Sequence, residues 1–342
     1  MDGDGGDTGD IVVLFCGRDM HDGFAFTREE GVRATALLKN DVGHRRVRVV
    51  QCDRGEVDGV IGGAHVIVPL MCQLDRARLE KAKLARLIIQ YGAGVEGVDA
   101  GAARDLGILL SNIPSRDTGN AESCAEMAIF LTMAALRRIR AMEESIRTRR
   151  LGVPCGAMLK GANVCCVGNG NISRALRPRL RGFGVRQTVL TRRAAGELDE
   201  DPDVADWAQV SDVAGMSRLL RAADVVVFAC SLNTESRGMM DAEFLARCKP
   251  GVIIINVARG GLLDYDATKW GLETGRIGGM GLDVQWDEPM DPDDGVLKHP
   301  CVYCTPHVAG VTQTSYRAMA RIVVSETIRT LIRGERPTIV LN

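Results

Sequence analysis

Arg259, Glu288 and His307 are the residues of this chain whose types and settings suit acid–base chemistry on a small carboxylic acid. Arg259 lies in Val-Ile-Ile-Ile-Asn-Val-Ala-Arg-Gly-Gly (252–261). Glu288 lies in Gly-Leu-Asp-Val-Gln-Trp-Asp-Glu-Pro (281–289), and His307 in Val-Tyr-Cys-Thr-Pro-His-Val-Ala-Gly (302–310). Each follows an apolar run, so each is expected in a loop at a strand end. A guanidinium stays charged and grips a carboxylate with two hydrogen bonds. An imidazole titrates near working pH and can move a proton. A neighbouring carboxylate holds the imidazole tautomer and favours its charged form. The chain has five histidines, and His21, His44, His65 and His299 lack the setting of His307. Asp287 and Asp291 stand close to Glu288 in sequence and satisfy the same requirement on those grounds alone. Asp283, at the strand end Leu-Asp-Val, is better placed to meet a cofactor.

Upstream, Val-Cys-Cys-Val-Gly-Asn-Gly-Asn-Ile-Ser (164–173) runs from an apolar strand into a glycine-rich turn. Gly168, Gly170 and Ser173 take the Gly-x-Gly-x-x-Gly spacing, with Ser at the third site. The first glycine permits the tight turn, the second lets the backbone approach a pyrophosphate, and the third position must be small. Asn171 and Ile172 then open a helix whose N-terminus presents N–H donors to the diphosphate. The next strand ends at Thr191, followed by Arg192 and Arg193, where an NAD site usually carries an acid. Two arginines suit a 2′-phosphate, so the expectation is NAD(P), leaning toward NADP.

These loops need a parallel sheet to hold them. Apolar runs at 11–16, 47–51, 64–68, 86–90 and 107–111 alternate with helix-like stretches such as 74–85, which predicts a first α/β domain. Residues 118–150 read as one long helix with an Arg-rich far end. A second series has strands at 162–167, 187–191, 224–230, 252–257, 279–284 and 301–304. Its helices are expected at 171–183, 211–222, 241–247, 266–274 and 313–333. Strand–turn–helix repetition of this kind predicts a doubly wound sheet with right-handed crossovers.

Composition agrees. At 342 residues there is material for two domains, and the 46% apolar content supplies two cores. Aromatics are only 4%, so those cores are aliphatic. A net charge of −1 argues against a nucleic-acid or membrane-surface binder. The eleven cysteines form no short-loop framework, and Cys16, Cys165, Cys166 and Cys230 lie in apolar strands. That points to a reducing compartment, expected here as the cytoplasm. No apolar run reaches the roughly 20 residues of a membrane span. A metal reading of His299, Cys301, Cys304 and His307 is disfavoured, because residues three apart on a strand face opposite sides.

On these motifs the chain resembles the D-isomer-specific 2-hydroxyacid dehydrogenase family, over roughly residues 60–340. Asn-Val-Ala-Arg-Gly at Arg259, the Glu before Pro at Glu288 and Thr-Pro-His at His307 carry the likeness. The resemblance implies hydride exchange between NAD(P)H and a small 2-oxo or 2-hydroxy acid, with glyoxylate or hydroxypyruvate preferred and phosphoglycerate as the alternative. It implies substrate contacts from Met71, from Gly92, Ala93 and Gly94, and from Arg259. Cofactor contacts are implied for Cys230, Ser231, Val257, Ala258, Asp283, His307, Ala309 and Gly310. It implies a Rossmann cofactor domain, 116–312, inserted into a flavodoxin-like substrate domain of 1–115 plus 313–342. It also implies a homodimer built around 118–150.

Three departures stand out: Cys-Ser-Leu-Asn (230–233) where the family usually reads Leu-Pro-Leu-Thr, Ser173 for the third glycine, and Thr191 where the family carries an acid. A non-enzymatic nicotinamide-sensing scaffold, similar to the C-terminal-binding corepressors, shares the fold and triad, but no peptide-docking signature is evident. A formate dehydrogenase would carry Gln where Glu288 stands.

Overall fold

The structure, a computed structural model, describes residues 9–17, 23–38, 46–192 and 196–342. Arg193, His21 and His44 lie outside these described residues. The chain divides into two units, 1–119 with 313–342, and 120–312.

In the first unit the strands are β1 (Ile11–Cys16), β2 (Val47–Cys52), β3 (Val66–Pro69), β4 (Leu87–Gln90) and β5 (Leu109–Asn112). All pairings are parallel, in the order β2-β1-β3-β4-β5. This is the flavodoxin-like winding, in which the reversal beside β1 opens a crevice at the strand C-termini. The strands are short and apolar because helices cover both faces. Helix α1 (Gly23–Leu38) packs on one side together with a helix contributed by the chain's last thirty residues. Tyr91 Oη donates to the Tyr316 carbonyl at 3.2 Å and its ring packs edge-on against Tyr316. Asn342 closes the unit: its Oδ1 accepts from Leu110 N–H at 2.9 Å and its Nδ2 donates to the Ile108 carbonyl at 2.8 Å.

The stretch 74–85 is not one helix. Helical geometry spans only α3 (Arg76–Leu79), preceded by α2 (Val57–Val60) earlier in the chain. Asp75 caps α3 by accepting from Arg78 N–H at 2.9 Å. Beyond it, three-residue hydrogen-bonded turns at Lys81, Ala82 and Ala85 replace the helical ladder and bury both alanines. Helix α4 (Ala100–Asp105) completes the connections before β5.

The second unit starts with α5 (Asn120–Arg137) and α6 (Ile139–Arg147), where a single helix over 118–150 was expected. Arg138 takes φ 55° between them. The cause is tertiary: the Leu136 carbonyl accepts from Ala157 N–H at 2.9 Å. The helical ladder therefore ends where the returning chain supplies the donor.

The seven strands here are β6 (Asn163–Val167), β7 (Arg186–Thr191), β8 (Asp206–Gln209), β9 (Val225–Phe228), β10 (Val252–Asn256), β11 (Ile277–Leu282) and β12 (Val302–Cys304). They are all parallel, in the order β12-β11-β10-β9-β6-β7-β8. Strand β8 was not anticipated; its sequence Asp-Trp-Ala-Gln is short and half polar, as an outermost strand permits. Between the strands run α7 (Asn171–Arg181), α8 (Gly196–Asp199), α9 (Val213–Ala222), α10 (Ala242–Arg247) and α11 (Tyr265–Glu273). The final helix, α12 (Gln313–Thr327), belongs to the first unit and runs on in a π-helical turn over 328–332, so helical structure covers nearly all of the expected 313–333.

Helix α5 sits directly on β11. A Cβ on Gly281 would come within 2.7 Å of Leu131 Cβ, and one on Gly279 within 3.5 Å of Ala135 Cβ. The glycine-rich strand Ile-Gly-Gly-Met-Gly-Leu thus sets how close the helix lies. Among the described residues no helix is long and apolar enough to cross a membrane.

Candidate active site

Arg259, Glu288 and His307 lie in loops after β10, β11 and β12, at the C-terminal edge where ligands bind in open α/β sheets. Their positions follow from three loops.

The first loop leaves β10 at Asn256, which is fully buried. Its Oδ1 accepts from Ala258 N–H at 3.0 Å, and its Nδ2 donates to the Arg259 carbonyl at 2.8 Å. One buried amide therefore shapes the Val257-Ala258-Arg259 turn, as Asn side chains do when they mimic a backbone turn. Val257 and Ala258 are buried, and Arg259 is half-buried, with Nη1 donating to the Ala258 carbonyl at 2.8 Å.

The second loop leaves β11 at Asp283, which is 1% exposed. Its Oδ1 accepts from Thr305 Oγ1 at 2.5 Å and from Val308 N–H at 2.9 Å. Its Oδ2 accepts from Ala309 N–H at 2.9 Å. Three donors on one buried carboxylate tie the β12 loop to β11. Gly260 then brings the first two loops together: a Cβ there would overlap the Gln285 carbonyl. Further along, Gln285 N–H donates to Glu288 Oε1 at 3.1 Å. The Gln285 Nε2 donates to the Thr305 carbonyl at 3.1 Å.

The third loop carries His307 at φ 56°, a left-handed conformation that a non-glycine residue rarely takes. Its N–H donates to the Asp283 carbonyl at 2.8 Å, which holds that turn. The ring then meets its partner: His307 Nδ1 lies 2.8 Å from Glu288 Oε2. Strain of this kind concentrates where a side chain must point in one direction.

Electrostatics separate the two carboxylates. Burial pushes the Asp283 carboxyl up, and the hydrogen bonds from Thr305, Ala309 and Val308 offset this only in part. Burial also works against the Glu288 charge. There the His307 hydrogen bond and charge, the Gln285 N–H and the Arg259 charge outweigh it, so Glu288 lies below its usual range. Cys124 nearby is held as a thiol, pushed up to about 12 by burial first and then by the Asp283 charge.

The glycine loop sits at the end of β6. Gly168 has φ 111°, and a Cβ on it would lie 2.9 Å from the Ala229 carbonyl and from Cys230 Cβ. Only a glycine fits that crossing, and only it takes that φ freely. Gly170 caps α7 in extended conformation, with Asn171 exposed and Ile172 half-buried on the first turn. Gly168, Gly170, Asn171 and Ile172 therefore form one surface at a helix N-terminus, which fits a diphosphate. Ser173, the departure at the third position, is fully buried.

Around this surface, Thr191 ends β7 and is buried, while Arg192 is exposed and pairs with Glu235 at 3.0 Å. The Ser231 carbonyl accepts from Ser236 Oγ at 2.9 Å, and Cys230 lies 4.0 Å from the Met239 sulfur. Ala309 is buried, and Gly310 packs so tightly on Asn120 that a Cβ would overlap the amide.

In the first unit, Met71 follows β3 at φ 46° and is 38% exposed. Gly92 has φ 138°, and the Ala93 carbonyl accepts from Asn112 Nδ2 at 2.7 Å, with Gly94 next to it.

Sequence reasoning missed Asn256, Gly260 as a contact residue, Gln285 and Thr305. A polar residue closing an all-apolar strand was a usable signal for Asn256. The others act through contacts that sequence spacing does not reveal.

The geometry has counterparts. Residues 129–309 match the family model described as "D-isomer specific 2-hydroxyacid dehydrogenase, NAD binding domain". The chain is 30% identical over 275 residues to a glyoxylate reductase of Korarchaeum cryptofilum, covering 79% of this chain and 80% of that protein. It is 33% identical over 267 residues to a D-3-phosphoglycerate dehydrogenase of Mycobacterium tuberculosis, covering 77% of this chain and only 48% of that longer protein. A solved glyoxylate reductase structure from Paecilomyes thermophila superposes with TM-score 0.76 at 26% identity, covering 96% of this chain and 97% of that one. The family model spans more than half of the chain, and the archaeal relative is matched over four-fifths of its own length. With two all-parallel α/β units and an NAD-type binding domain, the chain belongs to the D-isomer specific 2-hydroxyacid dehydrogenase family.

Proposed function

We propose that the protein reduces a small 2-oxo acid to its 2-hydroxy acid with NAD(P)H, with glyoxylate or hydroxypyruvate as the preferred substrate. The observation that carries this reading is the His307–Glu288 pair at 2.8 Å in a loop set against Arg259. A nicotinamide cofactor, when bound, supplies the hydride; the residues here position and polarise. Glu288 commits Nδ1 of His307 and stabilises the charged ring, leaving Nε2 to give a proton to the substrate oxygen. Arg259 holds the substrate carboxylate through paired hydrogen bonds. Gly168, Gly170, Asn171 and Ile172 hold the diphosphate, with Cys230, Ser231, Val257, Ala258, Ala309 and Gly310 around the rest of the cofactor. Asp283 serves that site by holding the loop 305–309. Met71 and Gly92 to Gly94 carry a substrate-binding role that rests on the family resemblance.

The cofactor leans toward NADPH. Thr191 and Arg192 stand where an acid would favour NAD, and the exposed Arg192–Glu235 pair is of the kind worth about 0–1 kcal/mol, which a 2′-phosphate can displace. A cytoplasmic homodimer assembled through α5 and α6 completes the reading. The 33% identity to phosphoglycerate dehydrogenases favours phosphohydroxypyruvate as the second substrate to try. The test follows the loss of NADPH or NADH absorbance with glyoxylate, hydroxypyruvate, pyruvate and phosphohydroxypyruvate in turn. Turnover of one acid, faster with NADPH, is the expected result. Tight dinucleotide binding without turnover of any 2-oxo acid would overturn the enzyme reading in favour of a nicotinamide-sensing scaffold.

A further inference from the structure

Arg177 is a charged residue inside a short helix, yet it is only 5% exposed. Its guanidinium is satisfied from three directions. Nε donates to Asp201 Oδ2 at 2.8 Å. Nη1 donates to Ser173 Oγ at 3.1 Å, one turn earlier on α7, and to Asn169 Oδ1 at 3.0 Å. The Arg177 carbonyl accepts from Gln187 Nε2 at 3.0 Å, which anchors that turn to β7.

Two of these partners belong to the glycine loop. Ser173 occupies the third small position, where its buried hydroxyl needs a partner. Asn169 stands between Gly168 and Gly170, the two residues with the most backbone freedom in the loop. Holding the Asn169 side chain restrains the residue between these two glycines, the stretch whose backbone approaches the diphosphate in the proposed cofactor site. Asp201 pairs with the buried guanidinium, and removing it would leave that charge uncompensated. The planar fork places donors on separate nitrogens, Nε toward Asp201 and Nη1 toward Asn169 and Ser173, a span that the single nitrogen of an ammonium does not reproduce.

We propose that Arg177 is a positioning residue for the dinucleotide, tethering Asn169 so that the glycine loop is set in its binding geometry before the cofactor arrives. The proposal rests on the assignment of this loop to the cofactor. Ser173 is then a working part of the loop: its hydroxyl helps to orient the guanidinium that holds Asn169.

The experiment is a double-mutant cycle on the full chain. ADP-ribose binding is measured by titration calorimetry for the native protein, Arg177→Lys, Asn169→Ala and the double variant, with thermal unfolding in parallel. Each single change should weaken binding about tenfold, equivalent to about 1.4 kcal/mol, by loss of pre-organisation. The double variant should bind no more weakly than either single one, because both remove the same tether. Turnover measurements should place the loss on KM for the dinucleotide more than on kcat. Lowered Tm with unchanged ADP-ribose affinity in Arg177→Lys would make Arg177 a core ion pair only and overturn the proposal. Additive losses would overturn it too. If Arg177→Lys does not fold, Asn169→Ala decides alone, since it changes a half-buried loop side chain: undiminished affinity refutes the tether. Failure of the native protein to bind ADP-ribose would instead overturn the cofactor assignment itself, and this inference with it.

Discussion

Asp283 and Glu288 sit on the same loop, five positions apart, and both are largely enclosed, yet their protonation is driven in opposite directions. Asp283 accepts from a hydroxyl and two backbone N–H groups, and the His307 charge is the weakest of the influences that lower it. Burial therefore prevails and raises its pKa. Glu288 faces an imidazole and feels the Arg259 guanidinium, so the ionised form prevails despite burial. Neutral donors organise a carboxylate without committing it to a charge; a cationic partner commits it. One carboxylate builds the loop; the other, under the proposed function, serves the proton.

Removing His307 breaks this contrast most completely. His307→Ala should lower kcat by roughly 10²–10⁴-fold, the usual worth of a positioned general acid. Dinucleotide affinity should stay close to native. Native turnover in this variant would take the acid–base role away from the pair.

Glu288→Gln is expected to come next, with kcat reduced by roughly 10²-fold, because an amide no longer stabilises the charged ring. It also sharpens the comparison through pH. A carboxylate lowered on folding contributes stability above its unfolded value, about 4.3 for Glu, and loses it as pH falls through the folded value. The stability cost of Glu288→Gln should therefore be largest near neutrality and fade on acidification below about pH 4. Chemical unfolding across pH 3–7 reads this directly, and a cost that grows toward acid would contradict the assigned direction.

Asp283→Asn should have the smallest effect on turnover and a clear effect on stability. The amide leaves one N–H donor facing another, at about 1–3 kcal/mol. For a unit of this size that lowers Tm by roughly 2–4 °C per kcal/mol. Its pH dependence runs the other way. A carboxylate raised on folding contributes stability fully below its unfolded value, about 3.9 for Asp, and loses it as pH rises through the folded value. The cost of Asp283→Asn should thus shrink toward neutrality. Loss of kcat equal to that of Glu288→Gln, at unchanged Tm, would exchange the roles of the two carboxylates.

How much of this was visible in the residues depends on range. Largely apolar runs bounded by glycine and polar residues announced eleven of the twelve strands among the described residues, because strands buried on both faces are mostly apolar. Strand β8 escaped, since an outermost strand buries less and Asp-Trp-Ala-Gln carries no such run. The stretch 118–150 reads as one long helix with an Arg-rich far end, yet it breaks at Arg138, where a distant N–H, that of Ala157, takes the Leu136 carbonyl. Nothing in the sequence sets Arg177 apart, and only the fold encloses it against Asp201.

The sequence by itself determined that two parallel sheets would form and that Arg259, Glu288 and His307 would follow strand ends, because periodicity and turn residues act over a few positions. Between Glu288 and its neighbours Asp287 and Asp291, equal on residue type, tertiary structure brings Glu288 to the imidazole. It also decided that Gly260 must seat against Gln285, that Asp283 must gather the loop of β12, and that Arg177 must reach Asn169. Each of these depends on the distance between atoms carried by different loops or helices, and that distance exists only once the sheet has set the register of its strands.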